Sequence, residues 1–166
     1  IQNGAGANGG AIYIYDSSPN FNNLIIQNNG AGANGGAIYS YNSSPNFNNL
    51  IIQNNAAFNM GGGIYINGGG SQTFTNCKIY NNEIGDTNGG GMYCNNSEYL
   101  YIDNCEFMYN HSPKNGGGIY LNNSQVEIKN TKIIENNEGI EGNNPMPTPM
   151  GGGIYAASSE VYLYNN

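Results

Sequence analysis

The sequence predicts an all-β fold, a right-handed parallel β-helix solenoid of about six coils, most of them 26–28 residues long. Three observations carry this expectation. A glycine–tyrosine motif recurs at near-constant spacing, a second block recurs in register with it, and short segments between them alternate with a period of two.

The first motif is Gly-Gly-(Gly/Ala)-(Ile/Met)-Tyr. It begins at Gly9, Gly35, Gly61, Gly89, Gly116 and Gly151, with successive spacings of 26, 26, 28, 27 and 35 residues. Residues 4–26 and 30–52 differ at only two positions, Ile14 against Ser40 and Asp16 against Asn42, as a recent duplication would leave them. The second block begins at Phe21, Phe47, Phe74, Ile102, Ile128 and Leu163. Two residues on, every copy has Asn (Asn23, Asn49, Asn76, Asn104, Asn130, Asn165), and eight residues on come Asn29, Asn55, Asn82, Asn110 and Asn136.

The segments Ile12-Tyr13-Ile14-Tyr15, Ile64-Tyr65-Ile66-Asn67 and Ile119-Tyr120-Leu121-Asn122 place aliphatic side chains on one face and Tyr or Asn on the other. That is a strand with one face buried. Gly, Asn, Ser and Pro punctuate every segment, as turns require. A period near 26 is too short for tetratricopeptide or ankyrin units, and the Leu ladder of leucine-rich repeats is absent. Coils of this size stack so that each strand pairs in parallel with its copy one coil on, about 4.8 Å away. The crossover rule favours the right hand. Equivalent residues then form ladders, and stacked Asn amides hydrogen-bond along the axis and satisfy turn backbone.

This register predicts three interior rows. One is Ile12, Ile38, Ile64, Met92, Ile119 and Ile154; another is Ile26, Ile52, Ile79, Phe107 and Ile133; the third is Phe21, Phe47, Phe74, Ile102 and Ile128.

Composition bounds the function. Only 9% of the 166 residues are charged, against about 25% in ordinary globular chains. The net charge of −7 comes from eleven acids and four lysines, Lys78, Lys114, Lys129 and Lys132. Nothing here neutralises a row of phosphates, which argues against nucleic-acid binding. No apolar run approaches the ~20 residues of a membrane-spanning helix. Residue 1 is Ile, already inside a repeat, so the chain reads as one β-helix segment (1–166) of a longer protein. Its two ends are expected to be open strand edges, suited to continuation or to end-to-end or edge self-association.

The paired motifs resemble the repeat of polymorphic outer-membrane and adhesin-like surface proteins, within the pectin-lyase-like β-helices. That repeat has GGA(I/L) and FxxN motifs. Gly9-Gly10-Ala11-Ile12 and its five relatives match the first, and Phe107-Met108-Tyr109-Asn110 matches the second in strict form. Elsewhere the second reads IxxN, as from Ile26 to Asn29. The resemblance covers almost the whole chain. It implies the fold rather than one activity, since adhesins, lyases, hydrolases and phage spikes share it.

Residues that could carry chemistry are few. Pectate-lyase-type sites combine acidic Ca²⁺ ligands with an Arg or Lys base, and this chain has no Arg. The register aligns Lys78, Glu106 and Lys132 in one row and sets Asp103 beside Lys129, which reads as surface ion pairing. Glycoside hydrolysis needs two carboxylates about 5–10 Å apart. The one acidic cluster, Glu135, Glu138 and Glu141, enters the long insertion before Gly151 and reads as a solvated loop. His111 is the sole histidine, in a turn. Cys77 and Cys105 share a ladder position in adjacent coils; with Cys94 they read as thiols filling core slots, a bridge between the first two being geometrically demanding. No metal or cofactor site is assigned, and the chain is not read as an enzyme.

The sharpest ligand-binding candidate is the row Tyr13, Tyr39, Tyr65, Tyr93, Tyr120 and Tyr155, one per coil. With Ile12 and its copies inward, these point outward, a strip that could stack sugar rings or another protein. Stacked Tyr also stabilises a sheet by itself. Three Pro in residues 145–149 cannot join a ladder, so the insertion is expected to leave the helix; it reads either as a neutral indel in a tolerant turn or, if functional, as a loop packed beside Tyr120 and Tyr155, with Glu138 and Glu141 at the rim of a groove. The function expected is a secreted or cell-surface structural and adhesive repeat domain that binds glycan or a surface protein along its side. The rivals are a scaffold segment of a polysaccharide-active lyase or hydrolase and an architectural filament or sheath module.

Overall fold

The computed structural model describes residues 3–138 and 150–165, with Asn137 and Glu138 described by backbone alone. Among the described residues every regular element is a short strand, and every strand pairing is parallel. The chain winds through four sheets per coil.

The first is a short sheet of two-residue strands: Gly4–Ala5, Gly30–Ala31, Ala56–Ala57, Glu83–Ile84, His111–Ser112 and Asn137–Glu138. The tyrosine sheet follows: Ile12–Tyr15, Ile38–Tyr41, Ile64–Asn67, Met92–Asn95, Ile119–Asn122 and Ile154–Ala157. Next comes the phenylalanine sheet: Asn20–Asn22, Asn46–Asn48, Ser71–Thr75, Tyr99–Asp103, Gln125–Lys129 and Glu160–Tyr164. The isoleucine sheet closes the coil: Ile25–Gln27, Ile51–Gln53, Lys78–Tyr80, Glu106–Met108 and Lys132–Ile134. Three sheets of six strands and one of five make between five and six turns among the described residues. The repeat spacing predicts two or three strands per coil. The short sheet is the addition, because two residues are too few to carry an alternation to read, and in the first three coils both are Gly or Ala.

The register is the predicted one. Ile12 pairs Ile38, Ile38 pairs Ile64, and the row continues through Met92, Ile119 and Ile154. The phenylalanine row and the row from Ile26 to Ile133 pair in the same way. From the second coil to the fourth all three rows are fully buried. Phe21, Phe47 and Phe74 stack inside at centroid separations of 5.4 and 4.6 Å.

Each corner turns on a residue with positive φ. Gly9 and its five copies have φ between 65° and 77° and lead into the tyrosine sheet. Asn23 and its copies, φ 46–57°, join the phenylalanine and isoleucine sheets. Asn28, Asn54, Asn81, Tyr109 and Glu135 make the next corner. Asn is the side chain that tolerates this region best after Gly, so its abundance is a demand of the corners. The second glycine of each motif has a different reason. A Cβ at Gly36 would lie 2.0 Å from the Gly62 carbonyl oxygen, so only a hydrogen fits between coils there.

The corner before the short sheet holds the buried Asn row. Asn55 donates its N–H and Nδ2 to Asn82 Oδ1 at 3.1 and 2.9 Å, and Nδ2 also donates to the Ile26 carbonyl at 3.2 Å. Asn82 and Asn110 repeat the pattern. Each amide thus satisfies backbone that burial would otherwise leave unpaired.

Candidate functional site

The six tyrosines of the predicted strip lie on the outer face, in register, but they do not form an open platform. Successive rings stack at 5.0, 5.2, 5.4, 4.7 and 5.0 Å, with interplanar angles of 9–17°. The ring normals therefore run along the stack, and each face is covered by the next ring. Tyr39, Tyr65 and Tyr93 are buried, with Met60 and Tyr120 packed against them. Burial, aided by Tyr39 and Tyr93, pushes the Tyr65 hydroxyl up to about 12. Tyr13 is the exception, more than half exposed. Stacking on sugar needs a free face, which the interior members of this row lack. The backbone at Glu138 joins the short sheet beside Ser112. Glu141 and the insertion residues 139–149 lie outside the described residues.

A different face gathers exposed chemistry. On the phenylalanine sheet the outward positions are Tyr99, Tyr101 and Asp103 in the fourth coil and Gln125, Glu127 and Lys129 in the fifth. Glu160, Tyr162 and Tyr164 follow in the sixth. Lys129 Nζ lies 5.6 Å from the Tyr101 ring centroid and 5.3 Å from that of Tyr164, a cation between two aromatic faces. It also pairs with Glu127 at 2.5 Å, and the Tyr99 hydroxyl donates to the Glu127 carboxylate. The pairing with Lys129 and the Tyr99 hydrogen bond hold Glu127 below the ordinary carboxylate range. The same carboxylate raises Lys129 and Tyr99. The register does set Asp103 beside Lys129, but Asp103 is engaged instead by Asn130 Nδ2 at 2.8 Å and by the Tyr101 hydroxyl at 3.2 Å. Sequence reasoning passed over this patch because Tyr99, Tyr101, Tyr162 and Tyr164 do not recur in every coil. Their alternation within Tyr99–Asp103 and Glu160–Tyr164 was the available signal.

On the isoleucine sheet Glu106 is flanked by Lys78 at 3.2 Å and Lys132 at 3.8 Å, the expected row. His111 stands in register with Glu83. Glu135 is an exposed corner residue whose carboxylate accepts the Tyr109 hydroxyl and raises it. All three cysteines are free and buried. Burial pushes the Cys94 thiol up to about 12. Interaction between the neighbouring Cys77 and Cys105 side chains lowers Cys77 and raises Cys105. Among the described residues no three His, Cys, Asp or Glu side chains converge as metal ligands. No helix of the described residues is long and apolar enough to cross a membrane.

The family model described as a right-handed beta helix region matches residues 10–166. No curated protein and no solved structure matches the chain.

Proposed function

The chain belongs to the right-handed β-helix family, and from that premise we propose that it is a non-catalytic, extracellular or cell-surface repeat domain that binds glycan or protein along one side. The adhesin-like resemblance of the repeat agrees with this role. The observation that carries it is the outer face of the phenylalanine sheet. Four tyrosines, two of them about half exposed, lie among Asp103, Glu127, Lys129 and Glu160 on strands held in register by a buried interior. A flat, rigid patch of phenol, carboxylate and ammonium groups suits hydrogen bonding to sugar hydroxyls or to a polar protein surface, with little ordering required of the domain. In this reading the stacked row from Tyr13 to Tyr155 stiffens the solenoid.

The test is a glycan array and a cell-binding assay on the chain and on a Tyr101→Ala/Tyr164→Ala variant. Binding that falls at least tenfold in the variant supports the assignment. Undiminished binding would move the ligand surface elsewhere. The rival reading, a polysaccharide-active scaffold, draws on Asp103 and Glu127 sharing one face. Its measure is release of new chain ends from pectic and other acidic polysaccharides, and turnover abolished by Glu127→Gln would replace the binding role with catalysis.

A further inference from the structure

Cys77 and Cys105 occupy the corner between the phenylalanine and isoleucine sheets, the slot taken by Leu24 and Leu50 in the first two coils and Thr131 in the fifth. Their surroundings are translated copies. Cys77 Sγ lies 3.2 Å from the Thr75 carbonyl oxygen and 3.6 Å from that of Phe47. Cys105 Sγ lies 3.3 Å from that of Asp103 and 3.6 Å from that of Phe74. Equal surroundings mean parallel side chains displaced by one coil, about 4.8 Å.

That spacing decides what the pair can hold. A disulfide needs Cβ atoms about 3.5–4.5 Å apart and sulfurs about 2 Å apart, closer than parallel neighbours on adjacent coils stand. Two metal–thiolate bonds, taken at the ~2.3 Å of a zinc–sulfur bond and placed in line, span about 4.6 Å. The pair therefore matches a linear sulfur–metal–sulfur unit. With no third His, Cys, Asp or Glu converging among the described residues, a tetrahedral ion such as zinc lacks ligands. Thiolates in low number select soft monovalent ions.

We infer that Cys77 and Cys105 form a two-thiolate site for one monovalent soft cation, copper(I) in class. Binding releases two protons: M⁺ plus two thiols gives a bis-thiolate complex of charge −1 and 2 H⁺. Four carbonyl oxygens 3.2–3.6 Å from the sulfurs oppose that charge, and one backbone donor and a cationic rim favour it. The Cys77 N–H already points at Cys105 Sγ, at 3.3 Å. A concavity of about 200 Å³ beside the pair is lined by both cysteines with Lys78, Glu106 and Lys132, and these three charges sum to +1.

The experiment titrates the reduced chain anaerobically with copper(I) in competition with a chromophoric chelator, and with silver(I) as a redox-inert second probe. The expected result is one ion per chain for either metal, a raised melting temperature, and affinity that weakens up to ~100-fold per pH unit on acidification as two protons compete. Cys77→Leu and Cys105→Thr, residues the same slot holds elsewhere, should each weaken binding at least 100-fold while keeping the circular dichroism of the parent. Cys94→Ala should bind as the parent does. Absence of stoichiometric binding, equal loss in Cys94→Ala, or an ion shared between two chains would overturn the site. So would a Cys77–Cys105 disulfide formed by oxidised glutathione, since it would show that the spacing is not held.

Discussion

The first two coils are near-copies in sequence and differ in their surroundings. Tyr13 and Tyr39 sit in the same sequence, Gly-Gly-Ala-Ile-Tyr, yet Tyr13 is 55% exposed and Tyr39 is 9% exposed. Ile38 and Phe47 are fully buried, whereas Ile12 and Phe21 are only partly so. The first coil has a described neighbour on one side, the second on both. In a solenoid, burial is a property of the stack rather than of the local sequence, because each coil contacts only its neighbours. The one interior difference between the copies reinforces this. Ser40 replaces Ile14 in a row that continues through Ile66, and its hydroxyl is buried without a hydrogen-bond partner.

The largest effect expected is at the buried Asn row, where neighbours on both sides depend on each amide. Asn82→Ala should cost about 4 kcal/mol in urea unfolding, because it strands the Asn55 N–H, one of the two Asn55 Nδ2 hydrogens and the Ile52 carbonyl. Asn104→Ala, in an exposed ladder with Asn76, should cost about 1 kcal/mol, from the left-handed corner alone. Equal losses would mean that stacking does not set the value of an amide.

Next comes the direct comparison of the copies. Tyr39→Ala should cost about 3 kcal/mol and Tyr13→Ala about 1 kcal/mol, since only the former has rings on both faces. Matching midpoints for the two variants would break the argument from position in the stack. Ser40→Ile should raise stability by about 2 kcal/mol, as it removes an unpaired buried hydroxyl and restores the aliphatic row. A destabilised Ser40→Ile variant would show that the second coil is packed more tightly than the first.

Smaller effects test the corners and the surface. Tyr109→Asn should gain about 1 kcal/mol, because Tyr109 holds φ 56° where Asn28, Asn54 and Asn81 stand in earlier coils. A thermal melt that falls instead would assign the Tyr109–Glu135 contact more weight than the backbone. Lys132→Ala should change stability by no more than about 0.5 kcal/mol, since its ion pair with Glu106 is 3.8 Å long and the lysine is well exposed. A larger loss would make the surface row part of the fold's support.

The interior was legible because its signals are periodic. Hydrophobic rows and Asn rows recur once per coil, and parallel stacking turns each recurrence into a contact. The candidate binding face was much less legible. Tyr101 and Tyr164 appear in single coils, and their significance depends on Lys129 of the coil between them. The partner of Lys129 was missed for a related reason. Register places Asp103 opposite it, but the hydrogen bonds from Asn130 and Tyr101 occupy that carboxylate, and Glu127, two residues back on the same strand, takes the lysine.

By itself the sequence determined the coil length, the strand register, which side of each strand faces inward, and where the chain must turn on Gly or Asn. Those follow from local chemistry repeated at a fixed interval, so no three-dimensional information was needed to extract them. Only the tertiary structure decided that the inner members of the outward tyrosine row bury one another and that Lys129 sits between two tyrosine rings on a different sheet. It alone showed that a concavity brings the Cys77–Cys105 ladder position together with the row of Lys78, Glu106 and Lys132. Those outcomes depend on ring orientation, side-chain competition and the number of neighbours a coil has, which arise between coils rather than within any one of them.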